Sequence, residues 1–129
     1  MPKTRRELWK TEPDERDFPA ALDYLSLIVA QERAERVVEL LRTAGSMHRK
    51  AKDLLRASRL PLLPRDNAHV KADLMKIKRR QPLSPVLLAR GDVLANRPLE
   101  VADGYHRICA SYYTDENADI PCRIVDVTA

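Results

Sequence analysis

The apolar residues of this chain change their period at Pro85. Upstream they recur at spacings of three and four, the pattern of helices with one buried stripe. Downstream they come in short β-branched runs bordered by proline, glycine and asparagine, the pattern of strands. A chain that makes this switch builds a helix-and-sheet fold, and 129 residues suffice for one domain. Only 5% of the residues are aromatic, so Leu, Val, Ile and Ala must fill the core.

Residues 1–18 are polar and charged and read as a flexible arm, in which Trp9 is suited to anchor the arm to the body or to a second subunit. From Pro19 the positions Leu27, Ala30, Ala34, Val37, Leu41 and Ala44 draw one apolar seam, which predicts a single helix over 20–44 stopped by Gly45. Ser46 can cap a second helix over 47–58, and the two predict a helical hairpin over 19–59. The seam can pack on its own domain or against another chain, and helix 20–44 is therefore the expected contact of a homodimer.

The proline-bearing stretch Leu60–Asp66 reads as an extended linker, with Asp66 capping a third helix over 67–80. Its stripe is Val70, Leu74 and Ile77, with His69, Asp73, Lys76 and Arg80 on another side. Residues 60–129 are expected to form an α+β domain. A small mixed sheet from Val86–Arg90, Leu99–Ala102 and Cys122–Val127 packs there against helices, one of them over Tyr105–Tyr113.

No apolar run approaches the roughly 20 residues of a membrane helix, and the first residues lack the apolar stretch of a signal peptide. Two cysteines without a CxxC pair or a Cys/His cluster predict reduced thiols, a cytoplasmic protein and no metal site. Charge is uneven. Residues 46–80 hold eleven Lys and Arg against three Asp and Glu, whereas both flanks are mildly acidic. That block suits a phosphate-bearing partner or a solvated helix surface. Arg49, Lys52, Arg56 and Arg59 follow at spacings of three and four and would share one face of helix 47–58, where they could grip DNA backbone phosphates.

The residues richest in chemistry are Ala102-Asp103-Gly104-Tyr105-His106-Arg107, where a strand turns into a helix. Glycine lets the backbone approach a ligand closely, the first helical turn offers unpaired N–H donors, and His106 and Arg107 add charge beside them. This corner predicts a phosphate site. Gly104 as a plain turn residue, His106 as a core histidine and Arg107 as an ion-pair partner are the alternatives.

Several pieces occur in a telling order: Leu60-Pro61-Leu62-Leu63-Pro64, then His69-Val70-Lys71, Pro85-Val86-Leu87-Leu88, Asp103-Gly104-Tyr105-His106-Arg107 and Ile120-Pro121-Cys122-Arg123-Ile124-Val125. In this the segment Leu60–Val127 resembles the domain shared by sulfiredoxins and the amino-terminal part of ParB partition proteins. Their corresponding turns read Gly-Cys-His-Arg and Gly-Glu-Arg-Arg, and bind nucleotide phosphates. The resemblance implies ATP or CTP with magnesium as ligand of Gly104, Tyr105, His106 and Arg107, with His69 and Lys76 reaching the phosphates from the preceding helix. The sulfiredoxin cysteine falls at Tyr105, so sulfiredoxin activity is not expected. Nor is an ordinary centromere-binding ParB, whose helical DNA-binding domain follows this unit. Relatives that use a carboxylate make Asp103 a candidate catalytic base or magnesium ligand, its alternative role being to cap the next helix. Cys109 and Cys122 are expected in the core.

The first expectation is thus a phosphate-recognising module binding a nucleotide at Gly104–Arg107. The alternatives are a nucleic-acid-binding protein using the basic 46–80 segment, and a protein-interaction module built on the 20–44 seam with a degenerate nucleotide site. Nucleotide-dependent phosphotransfer or hydrolysis stays open, on family analogy alone.

Overall fold

Val86, Leu87, Leu88 and Ala89 are fully buried, although alternate side chains of a strand point to opposite faces. Such a strand needs helices on both sides of its sheet, and this requirement organises the molecule. The computed structural model describes residues 7–128. The order is α1 (Asp17–Leu25), α2 (Gln31–Thr43), β1 (Met47–Lys50), α3 (Ala51–Ser58) and α4 (Ala68–Lys78), then β2 (Val86–Ala89), β3 (Glu100–Asp103), α5 (Tyr105–Thr114) and β4 (Asp119–Val125). The mixed sheet runs β1-β4-β2-β3, parallel between β4 and β2 and antiparallel at both outer pairs. The expected α+β class and the three expected strands are present.

Two cores flank the sheet. Val86 and Leu88 face Ala51, Leu54 and Leu55 of α3, Val70 of α4 and Ile108, Cys109 and Ala110 of α5. Leu87 and Ala89 face Phe18, Ala21 and Leu25 of α1 and Ala34, Val37 and Leu41 of α2. The expected split into a hairpin over 19–59 and a domain over 60–129 does not describe this arrangement. The first two helices cover one face of the sheet, and β1 supplies its edge strand.

The predicted helix over 20–44 is two helices, broken at Ser26–Ala30. A 25-residue helix would be about 37 Å long, far beyond the ~13 Å of a four-residue strand, and the break folds the second half back. Ala34, Val37 and Leu41 of the seam are fully buried within this chain, whereas Leu27 is 81% exposed. Arg123 on β4 closes α2, donating to the carbonyl oxygens of Leu41 (3.0 Å) and Arg42 (2.8 Å) and to Glu12 (2.5 Å).

The predicted second helix also starts late. Met47–Lys50 is extended because it pairs with Cys122–Asp119 of β4, and sheet pairing overrides local helix preference. Its charged residues sit on a sheet edge, where they discourage pairing with another chain. The cap of α4 is Asn67, whose side chain accepts from the N–H groups of His69 and Val70; Asp66 does not serve.

Residues 1–6 of the expected arm lie outside the described residues. Residues 7–18 are docked. Leu83 donates to the Leu8 carbonyl (2.9 Å) and receives a bond from Lys10 (2.8 Å), and Trp9 packs against the core as an anchor within its own chain. Glu7 accepts from Ser111 of α5 (3.0 Å) and Trp9 (3.2 Å), and burial pushes its carboxyl above the ordinary value.

Candidate functional site

The turn from β3 into α5 depends on Gly104. Its φ is +117°, a region L side chains avoid, and a Cβ there would lie 2.4 Å from Cγ1 of Val86. Glycine therefore sets α5 directly over the start of β2. No side chain caps the first turn of α5.

Arg107 points inward. Its Nη2 donates to Asp103 (3.0 Å) and to the Pro85 carbonyl (3.3 Å), and lies 3.7 Å from Asp17. Asp17 in turn accepts a hydrogen bond from Ser84, whose oxygen receives the Asp14 N–H (3.0 Å). One guanidinium thus joins α1, the segment before β2, the end of β3 and the start of α5. Burial pushes the Asp103 carboxyl above its ordinary value against the downward pull of Arg107, and the neighbouring Asp17 carboxylate adds to the rise. Asp103 neither caps α5 nor stands open to solvent as a base. Its carboxylate faces Arg107, whose Nε has no hydrogen-bond partner among the described residues.

The outer part of the site lies where α4 and α5 begin. His69 and His106 are each the second residue of their helix, and their rings are 4.7 Å apart. Helix N-termini carry positive partial charge, so two of them with two imidazoles make a place short of negative charge. Asp73 is the nearby carboxylate. Burial raises its pKa, while Arg107, Lys76, His106 and His69 all act to lower it. The pKa of His106 is depressed, first by burial and then by His69 and Arg107, with Asp73 opposing. The neutral imidazole is therefore favoured.

Of the expected ligand residues, the fold gathers Gly104, His106 and His69 at the two helix starts, with Arg107 behind them, whereas Lys76 lies in the last turn of α4 and acts on Asp73. Tyr105 has another job: its hydroxyl donates to the Pro61 carbonyl (2.6 Å), strapping down the proline-rich segment as Tyr113 does at Leu63 (2.7 Å). Sequence reasoning missed Asp17 and Ser84, which come from the expected arm and from a loop and carry no local signal of a partner so far along the chain. Among the described residues no group of three His, Cys, Asp or Glu could hold a metal ion. Cys109 and Cys122 are buried, and burial pushes the Cys122 thiol up to about 11, so it is no nucleophile near neutral pH.

The expected single face of four cations is not formed. Arg49 lies on β1, Lys52 and Arg56 lie on α3, and Arg59 stands beyond its end with a left-handed backbone. Among the described residues no helix is long and apolar enough to cross a membrane. Comparisons with family models, curated proteins and solved structures find no match to this chain.

Proposed function

We propose that the protein recognises a phosphate-bearing ligand where α4 and α5 begin, and that this ligand is a nucleotide, as the resemblance to the ParB and sulfiredoxin domain implies. The supporting observation is the pairing of His69 and His106 at 4.7 Å beside the uncapped start of α5. Two imidazoles are held together there beside helix N-termini that carry positive partial charge, with Asp73 as the nearby carboxylate, and an anion would add hydrogen-bond acceptors to the uncapped turn. Lys76 adds charge from α4. Arg107 acts by holding Asp103 and the Gly104 corner in place.

A phosphate between the imidazoles would favour protonated His106, so binding takes up a proton. Because the His106 pKa starts low, affinity should rise as pH falls toward and through that depressed value. Calorimetric titration of ATP and CTP with magnesium, at several pH values, tests this. His106→Ala should bind about ten-fold more weakly and show a flatter pH dependence. Absence of heat with either nucleotide and with inorganic phosphate, or unchanged affinity in folded His106→Ala, would overturn the reading.

A further inference from the structure

At the opposite end of the β2–β3 hairpin from Gly104, a groove of about 410 Å³ is lined by Arg56 and Arg59 at the end of α3 and by Arg90 and Arg97 of the β2–β3 connection. Its floor includes Ala57, Pro98 and Leu99, and Asp92 is the one carboxylate in its lining. The walls are joined by a hydrogen bond from the Leu99 N–H to the Ala57 carbonyl (3.0 Å) and by Arg59 donating to the Asn96 side chain (3.1 Å).

The connection is ordered. Asp92 and Arg97 exchange two backbone hydrogen bonds (2.8 and 2.9 Å), and the Asp92 side chain accepts from the Leu94 N–H (3.0 Å). This closed loop holds Val93 at 81% and Leu94 at 96% exposure. An isolated exposed apolar residue is ordinary, but two on a rigid finger beside four arginines make a composite surface. The partners of Arg56, Arg90 and Arg97 are exposed carboxylates at 3.4, 2.9 and 3.6 Å, pairs that cost little to exchange for another anion.

We infer that this groove is a binding surface for duplex nucleic acid. The arginines on both walls hold backbone phosphates, and the Val93–Leu94 finger rests in the adjoining minor groove. Guanidinium forks match phosphate oxygens, and a small apolar wedge between arginines suits the floor of that groove. The surface has no set of side chains for reading base edges in the major groove, so recognition is of backbone and shape. It is separate from the corner at Gly104 and does not rest on the nucleotide reading.

Fluorescence anisotropy with a short labelled DNA duplex tests it. Four phosphate contacts predict a slope of log affinity against log salt of about −3 to −4, a loss of roughly a hundred-fold between ~50 and ~200 mM salt. The double variant Arg90→Gln/Arg97→Gln should flatten that slope by about 2. Leu94→Ser should weaken binding at every salt concentration and leave the slope unchanged, which a purely electrostatic surface would not do. Should the double variant fail to fold, Arg56→Gln should flatten the slope by about 1, since that side chain is 82% exposed and stabilises little. The inference is overturned by any of four results: no duplex binding; unchanged affinity and slope in the folded arginine variants; competition by inorganic phosphate as effective as by duplex at equal phosphate concentration; or tighter binding to phosphatidylserine vesicles than to duplex.

Discussion

The two ends of the β2–β3 hairpin use arginine in opposite ways. At the Gly104 end the Arg107 side chain is 16% exposed and sits between Asp103 and Asp17. At the other end Arg90 and Arg97 are 55% and 56% exposed, each beside one exposed carboxylate. Coulomb attraction grows as water is excluded, so the buried pair is strong while its members cannot easily change partners. The exposed pairs are weak and open to exchange. An arginine in this protein therefore holds the fold or waits for a partner according to its burial, although the residue type is the same.

Removing each kind of arginine should break that symmetry most clearly. Arg107→Met keeps the bulk but strands Asp17 and Asp103 without a cation, and should destabilise the fold by about 3–5 kcal/mol in chemical denaturation. The loss should depend on pH with a definite sign. The Asp103 pKa is already raised, so this group favours the folded state most below its unfolded value and loses that contribution as pH rises through the folded one. Without Arg107 the carboxyl rises further, and the deficit should be largest at neutral pH and shrink in acid. A deficit that did not change with pH would show that packing, and not charge, carries the role of Arg107.

Next in size is Gly104→Ala. The added methyl meets Val86 at 2.4 Å in a backbone region unsuited to alanine, so about 2–4 kcal/mol should be lost, measured by thermal or urea unfolding. The smallest effect belongs to the open end: Arg97→Met should change stability by no more than about 0.5 kcal/mol in the same assay. A loss near that of Arg107→Met would mean that the connection is a structural element and that the contrast between the two ends is false.

Local pattern foretold a good part of this. The strands expected at 86–90, 99–102 and 122–127 stood out by β-branched content and their Pro and Gly borders, and they lie at 86–89, 100–103 and 119–125; the corner at Gly104 stood out by its residue types. The approach of His69 to His106 carries no local signal, because it joins the starts of two helices far apart in the chain. Asp17 and Ser84 were not legible, because each sits in a segment with no periodicity and meets Arg107 only in the folded chain.

The same division holds for the rest of the molecule. Apolar spacing specified that Ala34, Val37 and Leu41 of α2 turn inward, since period is a property of neighbouring residues. Three things depended on long-range contact: the break between α1 and α2, the conversion of Met47–Lys50 from expected helix to edge strand, and the meeting of Arg56 and Arg59 with Arg90 and Arg97. A helix ends where the sheet beneath it ends, a strand extends where β4 offers unpaired backbone groups, and cations gather where two distant segments close on one another. None of these partners is a near neighbour in sequence, so no local pattern could encode them.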